Sequence, residues 1–257
     1  MTDYWTWDLS EGRPGANIKE AYAEAFDTEE FSNIDTMVRE AIQNCLDARI
    51  PGSKGPVEVK FSFGKASAST DPFLADLFQS LEKHRKYCPN LKNNSFEEIT
   101  WLKIEDGNTT GLMGDLKKRE GSNFWKYLFE FGSGTKPHAG LGRHGVGRIS
   151  MILASMVHTL LIATVRKGDD DLVVSGIALL DPVSAPCPDG VDRHRVPVAL
   201  LAGAYQKSTD ARDIHSSDKG FTAKFKKTFD LKGLNQGLAA FLVNPSENIT
   251  PDKIQAA

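Results

Sequence analysis

Apolar residues recur along the chain with two different periods, and each period predicts a different kind of element. Residues 17–27 and 32–49 repeat apolar positions every three to four residues, which is typical of amphipathic helices. Residues 57–63 alternate between apolar and polar side chains, which predicts a strand with one buried face. The same two patterns predict a helix over 72–87 and a strand over 97–106.

The second half of the chain predicts further strands. A helix over 146–157 is expected to run into a pair of strands joined by the turn at 168–171. Two more strands are predicted near 220–229 and 237–243, with an irregular insert over 182–215 between the two pairs.

Helices kept apart from four or more antiparallel strands favour an α+β fold. We expect a two-layer sandwich in which helices cover one face of a mostly antiparallel sheet. The whole chain, 1–257, is predicted to form a single domain, which its length allows.

Charge and cysteine content narrow the class of protein. A formal net charge of −3 gives no broad basic field, so nothing in the overall composition points to a nucleic acid partner. The same net charge is compatible with a local basic patch. Cys45, Cys88 and Cys187 are too scattered for a disulfide framework and read as reduced thiols. The N-terminus lacks the features of a signal peptide, and the apolar run at 149–165 is too short and polar to span a membrane. We therefore expect a cytoplasmic protein without membrane contact.

The C-terminal residues predict the start of another helix. Thr250 is suited to cap a helix and Pro251 to occupy its first turn. This boundary suggests that the chain is the N-terminal part of a longer protein.

Three segments carry residues suited to chemistry, and the first lies on the predicted helix 32–49. Glu40, Asn44 and Asp47 fall within about 60° of arc on that helix, so they share one face. Alone, such a face is more often merely solvated. It also suits Mg²⁺ chemistry, because one amide oxygen plus nucleotide phosphates can hold the ion while a nearby carboxylate activates water.

The second segment is IEDGNTTGL, where Asp106 ends an apolar strand and glycine follows at once. A carboxylate in that position can accept the exocyclic amine of a purine. Asp-Gly-Asn is also simply a good turn, so this segment is a weak signal by itself.

The third segment, 133–150, reads SGTKPHAGLGRHGVGRIS and is dense in glycine ahead of a predicted helix. Free backbone N–H groups there, with the donors Lys136, Arg143 and His144, suit an anion. Residues 140–145 also satisfy the dinucleotide pattern G-x-G-x-x-G, but no predicted strand directly precedes them and the acids at 169–171 lie too far on.

Taken in this order, the three segments resemble the ATP-binding domain of the GHKL superfamily, shared by gyrase, ninety-kilodalton heat-shock chaperones, histidine kinases and MutL. Glu40, Asn44, Asp47 and Ala48 match its first motif, E-x3-N-x2-D-A, and Asp106 matches the aspartate of the second. The stretch GLGRHGVGRIS is similar to the glycine-rich lid motif in its chaperone form.

The resemblance implies the Bergerat fold and a Mg²⁺-dependent ATPase. It makes Glu40 the general base, Asn44 the Mg²⁺ ligand, and Asp106 the partner of the adenine amino group, with Asp47 helping through water. The remaining residues that it implies in nucleotide binding are Ala48, Lys136, Gly142, Arg143, His144, Gly145, Val146 and Gly147. Residues 107–147 would form a lid over the nucleotide.

The chain departs from the family pattern in two places. The second motif usually reads D-x-G-x-G, whereas here the glycines are Gly107 and Gly111. The family also tends to place Thr or Ser on a late strand near the adenine, and the sequence leaves either Thr222 or the region of Leu238 for that position.

Three functions remain open at this point. The leading one is an ATPase switch that dimerises on binding ATP and acts through a downstream domain or partner, in prokaryotic DNA metabolism or antiphage defence. A degenerate domain of the same fold could bind nucleotide or a partner without turnover. An NAD-dependent oxidoreductase would use the G-x-G-x-x-G pattern and leave Glu40 and Asn44 without a role.

Overall fold

A computed structural model gives the arrangement of most of the chain. It describes residues 4–10, 34–85, 94–115, 121–129, 146–168, 171–179, 183–186, 192–201 and 219–257. The predicted helix at 17–27 lies outside these residues, as do Cys88 and Cys187.

The described residues form eight strands. They are β1 (Trp5–Ser10), β2 (Glu58–Ser67), β3 (Glu98–Gly107), β4 (Ser155–Val165), β5 (Leu172–Leu179), β6 (Val183–Pro186), β7 (Asp192–Leu201) and β8 (Gly237–Pro245). All belong to one antiparallel sheet in the order β1-β7-β5-β4-β8-β3-β2, with β6 paired to β7 off this path. The antiparallel α+β class predicted from the sequence is therefore confirmed.

Six helices accompany the sheet in the described part of the chain. They are α1 (Ile34–Asp47), α2 (Pro72–Arg85), α3 (Asn123–Phe129), α4 (Val146–Leu153), α5 (Lys219–Thr228) and α6 (Pro251–Ala256). Buried side chains of α1, α3 and α4 form one core with one face of the sheet, and α6 packs against it through Ile254. Buried side chains of α2 and α5 form a second core on the other face.

The helices thus cover both faces of the sheet, and the two-layer prediction was wrong in this respect. The central strands explain the difference, because β5 is buried along its whole length and β4 along nearly all of it. A strand buried on both faces reads as a continuous apolar run rather than as an alternating one. The run at 149–165 is the end of helix α4 followed by such a strand, as the sequence predicts. In the described part of the chain, no helix has the length and apolar character needed to cross a membrane.

The predicted strand at 220–229 was also wrong, because this segment is helix α5. Phe221 and Phe225 are buried one turn apart, and Phe229 follows one further turn on. The three rings form a row, with centroid separations of 6.4 and 4.5 Å. Apolar residues spaced by four lie on one face of a helix. Over a few residues the polar positions between them also resemble the alternating pattern of a strand.

One boundary and three strands also differ from the predictions. Helix α4 ends at Leu153 rather than near 157, because β4 begins at Ser155 with an irregular register up to Thr159. The insert at 182–215 contains strands β6 and β7, and β1 was not predicted at all.

The other predicted elements are confirmed within a few residues. Helices α1 and α2 and strands β2, β3 and β8 lie where the periodicity places them. Strands β4 and β5 pair as neighbours across their turn. Thr250 caps helix α6, and its hydroxyl accepts a hydrogen bond from the Lys253 N–H.

Candidate functional site

Helix α1 presents the first predicted motif along the edge of a cavity. Val38 and Ala41 are buried against the sheet and fix the rotation of the helix. Asn44 is half-buried and lines the cavity, and Asp47 lines it from a more exposed position. Glu40 is half-buried one turn before Asn44 and is not among the described lining residues.

The Glu40 carboxyl has a perturbed pKa. Burial raises its pKa above the ordinary value, the positive charge of Arg39 opposes the rise, and the negative charge of Asp47 adds to it. A raised pKa brings a carboxylate closer to the range in which a general base works best at neutral pH.

Asp106 lies at the end of β3 and forms the polar part of the cavity floor. Its side chain is buried, with 4% of the residue exposed. Its Oδ1 atom accepts hydrogen bonds from the Thr109 hydroxyl and the Leu238 N–H, both at 2.7 Å. The Cys45 thiol also hydrogen-bonds to the Asp106 side chain. Three donors from three elements therefore fix the orientation of this carboxyl group.

Burial favours the protonated form of both Asp106 and Cys45. It raises the pKa of Asp106 above the ordinary value, although the bonds from Thr109, Leu238 and Cys45 oppose the rise. Burial, together with the charge of Asp106, raises the pKa of the Cys45 thiol to about 12. Cys45 is therefore a hydrogen-bond donor at neutral pH and not a reactive thiolate.

The loop after Asp106 is tied to its surroundings by backbone hydrogen bonds. The Thr110 N–H donates to the Ala48 carbonyl at 2.8 Å, and the Lys167 N–H donates to the Thr110 carbonyl at 2.9 Å. The Gln236 amide donates to the Thr109 carbonyl at 2.7 Å. The loop thus joins the end of α1 to the strands β4 and β8.

Gly111 accounts for the unusual spacing of glycines in this loop. It has φ of +65°, and a Cβ atom there would lie 2.6 Å from the Val165 carbonyl oxygen. Gly107 has no such constraint, because a Cβ atom would meet only Glu58 at an ordinary 3.6 Å. The glycine that the fold requires is therefore the one five residues after Asp106.

A buried threonine on β4, Thr164, links two segments that border the cavity. Thr164 accepts a hydrogen bond from the Leu112 N–H at 3.0 Å and donates one to the Gly237 carbonyl at 2.8 Å. Gly237 has φ of +141°, and a Cβ atom on it would lie 2.5 Å from Asp106 Oδ1. The sequence carried one weak signal for Thr164, a hydroxyl within the apolar stretch LLIATV.

The cavity has a volume of about 360 Å³, and apolar side chains form the larger part of its lining. Among the predicted site residues it brings together Asn44, Asp47, Ala48 and Asp106. Its apolar lining comes from helices α1 and α4, from strands β3 and β8 and from the loop after β3. The residues are Ala41, Ile104, Leu112, Met151, Leu238 and Ala240.

Helix α3 supplies a wall that the sequence did not predict. Asn123, Lys126 and Tyr127 line the cavity, while Phe124 and Leu128 on the same helix are buried in the core. The predicted lid, 107–147, therefore contains a helix anchored in the core. No helix was predicted over 123–129.

The glycine-rich motif is described only at its end. Val146 and Gly147 begin helix α4. Lys136, Gly142, Arg143, His144 and Gly145 lie outside the described residues.

The sequence left two segments open for the late-strand position, Thr222 and the region of Leu238, and only the second lies at the cavity. Leu238 lines the cavity, and its N–H donates to Asp106. Thr222 lies on helix α5, whose buried side chains belong to the core on the opposite face of the sheet. The hydroxyl that reaches Asp106 is that of Thr109, from the adjoining loop.

Comparisons of the chain with protein-family models, with curated proteins and with solved structures gave no match. The resemblance to GHKL domains accordingly depends on the three sequence motifs.

The two glycines of the loop give a matched pair of substitutions. Gly111→Ala is expected to lower the free energy of unfolding by about 2–5 kcal/mol, because the methyl group meets backbone and φ is positive. Gly107→Ala is expected to change it by less than about 1 kcal/mol. Urea unfolding of both variants measures these values, and equal losses would contradict the assignment.

The raised pKa of Asp106 predicts how stability varies with pH. The folded state holds this proton more tightly than the unfolded chain, where the pKa is about 3.9. The resulting stabilisation is complete below that value and disappears as pH rises through the folded-state pKa. The unfolding free energy of the wild type should therefore fall relative to Asp106→Asn as pH increases across this window. A rise in the unfolding free energy of the wild type relative to Asp106→Asn over the same pH range would contradict this prediction. It would show that folding favours the ionised carboxylate.

Proposed function

We propose that this chain is a Mg²⁺-dependent ATPase of the GHKL type with a Bergerat fold, and that ATP occupies the cavity between α1, α3 and β8. The observation that carries the proposal is the buried carboxyl group of Asp106 on the floor of a cavity whose walls are largely apolar. A buried charge needs hydrogen-bond donors, and an incoming amino group would supply one more.

The cavity suits a planar base with one amino group. A carboxylate offers about four lone-pair positions, so the bonds from Thr109, Leu238 and Cys45 leave room for one further donor. Apolar walls cover the faces of a flat ring, and the volume lies in the range of small-molecule sites, roughly 300–1,000 Å³. An adenine amino group would donate to Asp106, whereas a guanine would present an acceptor there.

The phosphates would extend along α1 towards Asn44. The half-buried amide of Asn44 lines the cavity, and an amide oxygen is a ligand that Mg²⁺ accepts together with phosphate oxygens and water. When bound, the ion would neutralise negative charge on the transferred phosphate. Lys126 of α3 lines the same cavity and would bring a cation to the opposite wall.

Glu40 is the residue proposed to activate water. It lies one turn from Asn44, beyond the described lining of the cavity, and its raised pKa suits a group that takes a proton at neutral pH. The glycine-rich motif before α4 would close over the phosphates, and two copies of the chain would associate in that state. Output through a downstream domain or partner, in DNA metabolism or antiphage defence, belongs to the same proposal.

One observation favours a second candidate, a nucleotide-binding module without turnover. Glu40 does not line the cavity as described, so a nucleotide held by Asp106 and Asn44 could be bound without an attacking water in place.

Hydrolysis by Glu40 variants distinguishes the two candidates. Glu40→Gln removes the proton acceptor but keeps the shape, so the hydrolysis rate should fall by about 10²–10⁴-fold while ATP still binds. The exposed Glu97 gives a control, since Glu97→Gln should hydrolyse ATP at the wild-type rate. Both rates are measured as phosphate release with and without Mg²⁺. A wild type that binds ATP but releases no phosphate would support the module instead.

A further inference from the structure

Helix α5 presents an exposed face made of lysines and small residues. Lys219, Lys224, Lys226 and Lys227 are all exposed, and at 100° per residue they span about 160° of arc. Gly220 and Ala223 fall within the same arc and are also exposed. The face therefore carries four cations with no bulky side chain between them.

The lysines of this face outnumber the acidic residues that the structure shows beside it, Asp71 and Asp230. Helix α5 contains no Asp or Glu, whereas α1 and α2 each carry both signs of charge. Asp230, just beyond the helix, is bound by Lys232 at 2.7 Å. A face that serves only solubility normally mixes both signs, and the chain as a whole is acidic, with net charge −3.

The helix dipole explains only part of the pattern. Lys226 and Lys227 lie in the last turn, where a cation is favourable. Lys219 occupies the first position of the helix, where the dipole disfavours a cation. Lys224 and Lys227 are three residues apart, and like charges at that spacing destabilise a helix slightly. An anion bound along the face would relieve both effects.

The inner side of α5, beneath these lysines, is packed into the core. Phe221 and Phe225 are buried on the inner side of α5, and the Phe225 ring stacks on Phe229 and meets Phe241 edge-on at 5.5 Å. The Thr228 hydroxyl donates to Asp71 at the start of α2. The face thus has a fixed shape about 15 Å long, on the opposite side of the sheet from the cavity.

We propose that this α5 face binds the phosphate backbone of a nucleic acid without reading its sequence. Lysines act as point charges towards phosphates, whereas base recognition relies on planar or bidentate groups that this face lacks. An anionic membrane fits less well, because a helix that inserts into lipid needs its apolar side, and here that side is in the core.

The test is fluorescence anisotropy with a labelled DNA duplex of about 30 base pairs, using the full chain at several salt concentrations. With four phosphate contacts, log K should fall with log salt with a slope of about −3.6, or roughly 50-fold between about 50 and 150 mM. Two duplexes of unrelated sequence should bind equally.

Two triple variants with the same change in charge separate a local site from net charge. Replacing Lys224, Lys226 and Lys227 by Gln should weaken binding at least tenfold and reduce the slope to about −1. Replacing the scattered exposed residues Lys54, Lys65 and Lys253 by Gln should leave both quantities unchanged. Matching thermal unfolding midpoints establish that both variants are folded.

Three results would overturn the proposal. They are equal losses in the two triple variants, no binding of the duplex by the wild type at about 50 mM salt, and binding to vesicles of anionic lipid in place of the duplex.

Discussion

The buried carboxyl group of Asp106 joins the elements around the cavity. Its Oδ1 atom accepts the N–H of Leu238 on β8 and the hydroxyl of Thr109 in the following loop, and the Cys45 thiol reaches it from α1. Because a buried carboxylate without donors is very costly, these elements must keep their relative positions for the charge to be tolerated. Its raised pKa shows that the bonds do not fully offset the loss of water.

Two glycines are consequences of this arrangement. Gly237 lets β8 approach Asp106 so closely that a Cβ atom would overlap its Oδ1, and Gly111 lets the loop turn against β4. Thr164 links the loop to β8, because its hydroxyl accepts a hydrogen bond from the Leu112 N–H and donates one to the Gly237 carbonyl. The floor of the cavity is therefore built into the sheet, while helices α1, α3 and α4 supply walls around it. A site with a rigid floor and helical walls can hold the base of a ligand in one orientation.

The sequence predicted best those features that depend on local periodicity. Helix α1 and strand β3 were predicted because their buried faces repeat regularly, and Asp106 was identified because it follows an apolar strand. Helix α5 was mistaken for a strand because Phe221 and Phe225 are separated by residues that also fit alternation. The coverage of the second face of the sheet by helices was not foreseen, because a strand such as β5 gives no local sign of what covers it.

The parts of the site that could not be predicted are brought together only by tertiary contacts. Nothing in the neighbourhood of Thr164 in sequence indicates that it lies beside Leu112 and Gly237. Lys126 and Tyr127 reach the cavity because Phe124 anchors α3 in the core and its N–H donates to Met113 at 3.1 Å. The spacing of Gly107 and Gly111 looked irregular because only backbone geometry distinguishes the glycine that is needed.

The most direct test of the central claim is calorimetric binding of non-hydrolysable ATP and GTP analogues, with and without Mg²⁺, to the wild type and to Asp106→Asn. A hydrogen bond to a charged group contributes about 1.5–3 kcal/mol, so the substitution should weaken ATP binding by roughly 10- to 150-fold. The wild type should prefer ATP, and Asp76→Asn, at an exposed position on α2, should bind as the wild type does. Equal affinity of the wild type and Asp106→Asn for ATP, or equal affinity of the wild type for ATP and GTP, would contradict the assignment of Asp106 as the partner of adenine.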